Sequence, residues 1–274
     1  MTGGAVCVPF FKNLKKCFMK KLKWIFVLVI IVGFTSCNEI YHNTLKGDGN
    51  VISSEKTVSP FSMIQTSGSV NVNFHASQEY RAQVAVDSNL LEYVKVSVEN
   101  NTLHIGTKNG SYSFTTFVVD VYCPFVSEVS ISGSGDFTGL DKICVPKFES
   151  NISGSGNIKG TFECDKFSAR VSGSANIAGT VECQDFLVQI SGSGDVRMKG
   201  NATNINVSVS GSGSFEGNEF KTHNAIVNLS GSGDVMIWVE ESLKARIAGS
   251  GEIRYRGKPK IDFSSSGSGR LISD

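Results

Sequence analysis

Ser132-Gly133-Ser134-Gly135-Asp136, held between Ile131 and Phe137, is the first of a series. It returns as Ser153-Gly154-Ser155-Gly156-Asn157, Ser172-Gly173-Ser174-Ala175-Asn176 and Ser191-Gly192-Ser193-Gly194-Asp195. Ser210-Gly211-Ser212-Gly213-Ser214 and Ser230-Gly231-Ser232-Gly233-Asp234 follow, and Gly249-Ser250-Gly251-Glu252 and Ser266-Gly267-Ser268-Gly269-Arg270 close it. The leading glycines stand at 133, 154, 173, 192, 211, 231, 249 and 267, so the period runs from 18 (249 to 267) to 21 (133 to 154). That period is too short for a two-helix repeat and suits one coil of a solenoid.

Aligning the repeats on the leading glycine exposes apolar columns. Six residues before it stand Phe148, Phe167, Phe186, Ile205, Ala225, Leu243 and Ile261. Two before it stand Ile131, Ile152, Val171, Ile190, Val209, Leu229 and Ile247. Four after it stand Phe137, Ile158, Ile177, Val196, Phe215, Val235 and Ile253. Residues between them alternate, as in Phe186-Leu187-Val188-Gln189-Ile190, the period-two mark of a strand with one buried face. The expected fold is all-β: a right-handed parallel β-helix, its coils stacked about 4.8 Å apart into a rod roughly 35–40 Å long.

Ser-Gly-Ser-Gly reads as the corner between two strands of a coil. Glycine there permits positive φ and close backbone approach, and serine hydroxyls can bond up the stack in ladders. The rest of the composition agrees, with 29 Gly, only 5 Pro and many β-branched residues. The 26 basic and 25 acidic residues leave a net charge of +1 and no basic stripe past the N-terminus, so no nucleic-acid partner is expected.

The N-terminus reads as an address. Met19-Lys20-Lys21-Leu22-Lys23 leads into the apolar run Trp24–Val32, and Gly33-Phe34-Thr35-Ser36 precede Cys37. A basic start, a short apolar stretch and small residues form a secretory signal, and the run is shorter than the ~20 residues of a permanent span. Cys directly after Thr-Ser resembles a lipoprotein cleavage box, with Phe34 in place of the usual Leu. Cys37 is thus the expected lipidation site, and the membrane a partner through it. Residues 1–18 read as an upstream extension with Met19 the true start, 19–36 as the signal peptide and 37–45 as an anchor or linker. The expected location is the cell envelope, at the outer membrane on its periplasmic face or the cell surface; Glu39 alone supplies the acidic residue that surface-exported lipoproteins carry after the Cys.

Before the repeats, residues 46–118 form a β-rich part that leads into the solenoid of 119–274 and caps it, since an open end exposes core and strand edges. Strands are expected over Ser69–Phe74, Arg81–Val86, Val94–Val98 and Thr102–Ile105, with a hairpin turn at Asn100-Asn101. Asp87–Tyr93 is the one short helix expected, capped by Asp87 or Ser88. Lys46–Val51, Val58–Ile64, Asp87–Leu91 and Asn101–Ile105, followed by the Ser-Gly-Ser-Gly-Asp series, resemble the family called putative auto-transporter adhesin, head GIN domain, common among Bacteroidetes lipoproteins. The resemblance covers about Lys46–Asp274. Lys56 and Ser77 depart from it, where members usually carry Arg and Gly. It implies a β-helical cell-envelope protein with an adhesin-like role.

Cys144, Cys164 and Cys183, each one period from the next, are expected to share a column, with Cys123 its possible start one coil earlier. Stacked side chains lie in a line and do not converge tetrahedrally on zinc. Buried free thiols and a disulfide between adjacent coils both fit the spacing.

A column of polar residues follows the corner: Asp136, Asn157, Asn176, Asp195, Ser214, Asp234 and Glu252. It is the candidate ligand-facing column. Asp195 and Asp234, two coils apart and so about 10 Å, could serve inverting hydrolysis, which keeps a polysaccharide lyase or glycosidase as the alternative reading. Asn and Asp at corners are more commonly turn formers. The Gly-x-Gly-x-Asp pattern also resembles calcium-binding repeats, but those have half this period. His42, His75, His104 and His223 are scattered, and His104 is expected to face solvent. No Gly-x-Ser-x-Gly elbow or phosphate loop leading into a helix is present. No catalytic residues, metal or cofactor are therefore assigned. The expected function is a non-catalytic binding or structural module, displayed on the envelope, with a glycan or a protein as its ligand.

Overall fold

The computed structural model describes residues Thr44–Asp274. The signal peptide expected at 19–36, the start expected at Met19 and the lipidation expected at Cys37 lie outside these residues. The described chain is a parallel β-solenoid whose N-terminal end is closed by antiparallel strands.

Each coil has a strand that ends on the Ser-Gly corner and a strand that leaves it. The pre-corner strands Glu128–Gly133, Lys147–Gly154 and Lys166–Gly173 pair in parallel and in register. From Asn176 the two limbs merge into long bent strands, Asn176–Gly192, Asp195–Gly211, Phe215–Gly231 and Val235–Gly249. The last coil is made by Lys260–Gly267 and Arg270–Ser273. Gly133, Gly154, Gly173, Gly192, Gly211 and Gly231 are successive ladder partners, as the spacing predicts.

The three apolar columns point inward. The column two before the glycine is buried from Ile131 to Ile247, and the column four after it from Phe137 to Ile253. In the column six before, Phe148 through Leu243 are buried, while Ile261, in the last coil, is 41% exposed. Phe162, Val181, Gly200 and Phe220 form a further inward column that sequence alignment on the corner does not isolate. Gly200 has no side chain between Val181 and Phe220, and the large Phe220 ring is fully buried beside that space. Phe186 lies at the meeting point of both columns, 5.2 Å from Phe167 and 5.3 Å from Phe220 between ring centroids.

The corner has a plain physical cause. Every leading glycine has positive φ, +128° at Gly192 and +127° at Gly211. At most corners its carbonyl accepts two N–H groups from the next coil: Gly192 O takes those of Ser212 (2.9 Å) and Gly213 (3.1 Å). A Cβ on Gly211 would overlap that same oxygen. The expected serine-hydroxyl ladder is largely replaced by these backbone bonds. Among the described residues, one corner pair bonds hydroxyl to hydroxyl, Ser268 with Ser250 at 3.2 Å.

The ladder also reaches farther back than the repeat series. Met63–Gly68 pairs in parallel with Glu128–Gly133, placing Ser67-Gly68 level with Ser132-Gly133. Asn71–Ala76 then joins the post-corner ladder through Val72 opposite Phe137. On the outer side of this coil lie Thr102–Thr107 and Phe117–Cys123. The chain therefore builds one coil, runs outward to form the end, and returns past it to start the series. The end is closed by Val94–Glu99, Arg81–Asp87 and Val51–Thr57, all antiparallel to their neighbours. Asn100 and Asn101, at φ +49° and +63°, make the tight hairpin turn expected of them.

Residues Ser88–Tyr93 form a 3₁₀ turn, and Asp87 makes no side-chain capping bond to it. The buried Asp87 carboxylate instead accepts the N–H groups of Gly49 (3.1 Å), Thr115 (2.7 Å) and Thr116 (3.4 Å), stitching three segments of the cap. Burial opposes its ionisation, but these donors outweigh burial and hold the carboxyl below its ordinary value of 3.8. A depressed folded-state value means that its stabilisation is complete above the ordinary carboxylate range and is lost as pH falls below it. Protection of the Gly49 and Thr115 amides against exchange, taken relative to the intrinsic rate at each pH and followed by mass spectrometry or NMR from pH 6 downward, should fall before that of the corner amides does.

Candidate functional site

The post-corner polar column becomes a continuous hydrogen-bonded ladder, each member holding the backbone or side chain of the next coil. Asn71, in the first coil, accepts the Asp136 N–H at 3.1 Å. Asp136 accepts both the backbone N–H (2.9 Å) and the side-chain amide (2.7 Å) of Asn157. Asn157 accepts from the Asn176 amide at 3.0 Å, and Asn176 from the Asp195 N–H at 3.3 Å. Asp195 accepts the Ser214 N–H at 2.9 Å, Ser214 that of Asp234 at 3.4 Å, and Asp234 that of Glu252 at 3.0 Å. Glu252 ends the ladder against Arg254 and Arg270, which hold its carboxyl below the usual range.

Carboxylate, carboxamide and hydroxyl do the same work in this ladder, because a bond from a backbone N–H needs only an acceptor oxygen. That explains why Asp, Asn and Ser interchange along the column. Asp195 and Asp234 stand two coils apart with Ser214 between them, and each spends an oxygen on the neighbouring coil. Sequence reading places the column correctly but misses Asn71, because the capping strands separate its corner from the corner of Gly133 along the chain.

The cysteines separate. Cys144 pairs with Glu163 and points to solvent, so it leaves the expected column. Cys144 stands ten residues before its next leading glycine, Gly154, where Cys164 and Cys183 stand nine before theirs, and that one-residue difference turns it outward. Val145 takes the inward place, bonding its N–H to Glu163 O at 3.1 Å. Cys123 pairs with Ala76, apart from the others; burial pushes its thiol up to about 12. Cys164 and Cys183 remain side by side.

The histidines stay apart as well. His75 stacks on Tyr122 at 4.6 Å and lies 3.3 Å from Asp120 in the cap. His223 faces Glu240 and Glu241, and His104, opposite Gln65, lies half-buried on the outward side of its strand between the buried Leu103 and Ile105. His42 lies outside the described residues. Among the described residues no three His, Cys, Asp or Glu side chains gather around one point.

The accessible concave surface lies elsewhere, on the outward face of the pre-corner strands. Two grooves run there along the rod. One, of about 720 Å³, lies between the leading serines Ser132, Ser153, Ser172, Ser191, Ser210 and Ser230 and the ladder containing Asn151, Gln189, Ser208 and Asn228. Its walls carry hydroxyls and amides at each coil, and Arg170 near its middle is tied to Glu149 (3.0 Å) and Gln189 (3.0 Å). The other, of about 740 Å³, is lined between Lys147 and Lys260 and presents Leu187 and Ile226 outward. Ser168 lies in its floor, and its hydroxyl is the one buried side-chain oxygen among the described residues without a protein partner. Sequence analysis does not single out these faces, because outward residues follow no apolar pattern.

Comparison with known proteins gives the same architecture. A putative adhesin from Parabacteroides merdae is 25% identical and superposes with a TM-score of 0.81 over 84% of this chain and 99% of its own. A putative lipid binding protein from Parabacteroides distasonis is 28% identical, with a TM-score of 0.79 over 84% and 99% of the two chains. A putative adhesin from the same organism is 26% identical, with a TM-score of 0.80 over 85% and 100%. No curated protein matches the chain. Residues 60–259 match the family model described as putative auto-transporter adhesin, head GIN domain. With that match spanning most of the solenoid and its cap, the chain belongs to the putative auto-transporter adhesin, head GIN domain family.

Proposed function

We propose that the chain is a non-catalytic binding module, held at the cell envelope by lipid on Cys37, that takes an extended glycan along the outward face of its pre-corner strands. The adhesin names of the family and of its structural relatives support an envelope or surface role. One observation carries the assignment of the face: the serine-walled groove offers uncharged donors and acceptors at every coil, whereas the corner carboxylates are bonded to the next coil. A linear polyhydroxyl polymer can repeat its contacts at each coil, so weak bonds add along its length.

The groove between Lys147 and Lys260 favours a second ligand class. Leu187 and Ile226 face outward there, and a hydrocarbon chain laid over them would leave water. The name of the 28%-identical relative, a putative lipid binding protein, points the same way.

The test is a binding screen of the detergent-solubilised full chain on plant and host glycans, with acyl-chain probes alongside. Ser191→Arg with Ser210→Arg fills the serine-walled groove and should weaken glycan binding at least tenfold. Retention of glycan binding in that variant, with loss of acyl-probe binding in Ile226→Arg, would transfer the function to the groove of Leu187 and Ile226.

A further inference from the structure

We infer that Cys164 and Cys183 form a disulfide that staples two adjacent coils of the solenoid. The ladder fixes them opposite one another. Glu163 pairs with Glu182 on one side and Lys166 with Asp185 on the other, and the offset common to both pairs carries Cys164 onto Cys183 with no bulge between. Backbone bonds hold both strands at this point: Cys164 N–H to Glu182 O at 3.0 Å and Gln184 N–H to Asp165 O at 3.0 Å. Neighbouring strands lie about 4.8 Å apart, within the roughly 4.4–6.8 Å between Cα atoms that a disulfide bridges. Both side chains are half-buried and pack against the core edge, and their column continues inward as Ala202 and Thr222. The other two described cysteines have different ladder partners, Glu163 for Cys144 and Ala76 for Cys123.

The two thiols are also unequal. The neighbouring Cys183 thiol holds the Cys164 thiol below its ordinary value, and Cys164 together with burial pushes Cys183 upward. Cys164 is therefore the attacking thiolate. It attacks the disulfide of an oxidised dithiol protein of the envelope, or glutathione disulfide, forming a mixed disulfide and releasing one thiolate of the oxidant. Cys183 gives its proton to that thiolate and attacks the Cys164 sulfur, expelling the second thiolate, which takes up the proton lost by Cys164. Two electrons and two protons have then moved to the oxidant, and one sulfur–sulfur bond has formed. The inference rests on the exported location proposed above only for the oxidant that acts in the cell.

The experiment equilibrates the full chain in glutathione buffers of graded ratio, quenches with acid, alkylates and maps peptides by mass spectrometry. The expected product is one linked peptide pair joining Cys164 to Cys183, with Cys144 alkylated. Cys144→Ser should leave the link intact and Cys164→Ala, a side chain its column already accepts at Ala202, should abolish it. Alkylation of both Cys164 and Cys183 at every ratio, or a link through Cys144, would overturn the inference. A link that forms in buffer yet is absent from chain isolated from cells would uphold the inference and count against the exported location.

Discussion

Gly211→Ala should lower stability by about 3–5 kcal/mol, while Gly213→Ala, two residues on, should cost distinctly less. Gly211 sits at φ +127°, a region that side chains rarely enter, and that alone costs on the order of 1–3 kcal/mol. Its new Cβ would also overlap the Gly192 carbonyl, the acceptor for both Ser212 and Gly213. Moving that oxygen weakens two backbone bonds, at about 0.5–1.5 kcal/mol each. A Cβ on Gly213 would overlap the Gly194 carbonyl as closely, but Gly213 has no positive φ. The chain itself answers for that position: Ala175 replaces the second glycine in its own repeat and is fully buried. Hydrogen exchange at the corner amides would measure both variants, and it suits a rod whose coils contact only their neighbours. For Gly211→Ala the loss of protection should centre on the coils of Gly192 and Gly211. Equal effects of the two substitutions would mean that the conformation of the leading glycine is not what limits the corner.

Phe186→Ala should cost about 3–5 kcal/mol, the range for removing a buried aromatic ring. Phe186 is 2% exposed and meets Phe167, Phe215 and Phe220 at centroid distances of 5.2, 6.1 and 5.3 Å. Phe167 belongs to the preceding coil and Phe215 and Phe220 to a later one, so the cavity would loosen the stack on both sides. The column already contains one alanine, Ala225, but Phe220 and Phe215 precede it in the same coil, both buried. No equivalent ring is free to refill the space at Phe186. Denaturation monitored by circular dichroism should show an earlier transition, and a loss under about 1 kcal/mol would show that the core closes around the gap.

Much of this fold is legible in the sequence because its information is local and repeated. One leading glycine per coil sets the register, and the columns at fixed offsets from it choose the buried face. What the repeat cannot show is contact made across an insertion. Ser67-Gly68 belongs to the same ladder as Ser132-Gly133, but the capping strands intervene, so its membership depends on a pairing that spans the whole cap. Cys144 fails for the opposite reason. It lies almost in period, and a one-residue shift in a two-residue pleat is enough to reverse its direction.

The polar column can be read off residue by residue, yet its role changes when the bonds are seen. Gly, Ser and Asp together suggest ions or hydrolysis; in place, the Asp195 and Asp234 oxygens fix the next coil. The grooves are different again. They arise from the bend of strands whose outward residues, Asn151, Arg170, Gln189, Ser208 and Asn228, share no type, so only their stacking assembles a wall.

The direct test of this division of labour is a side-by-side comparison on pectin-like and host glycans of the Asp195→Asn/Asp234→Asn double variant and the Ser191→Arg/Ser210→Arg double variant, scoring binding and cleavage together. Asn retains the acceptor oxygen, so the first variant should keep its stability within about 0.5 kcal/mol and bind glycan as the unaltered chain does, with no cleavage by either. The second should bind at least tenfold more weakly. Cleavage products released by the unaltered chain and abolished in the Asp195→Asn/Asp234→Asn variant would contradict the account, because the corner column would then be the working site.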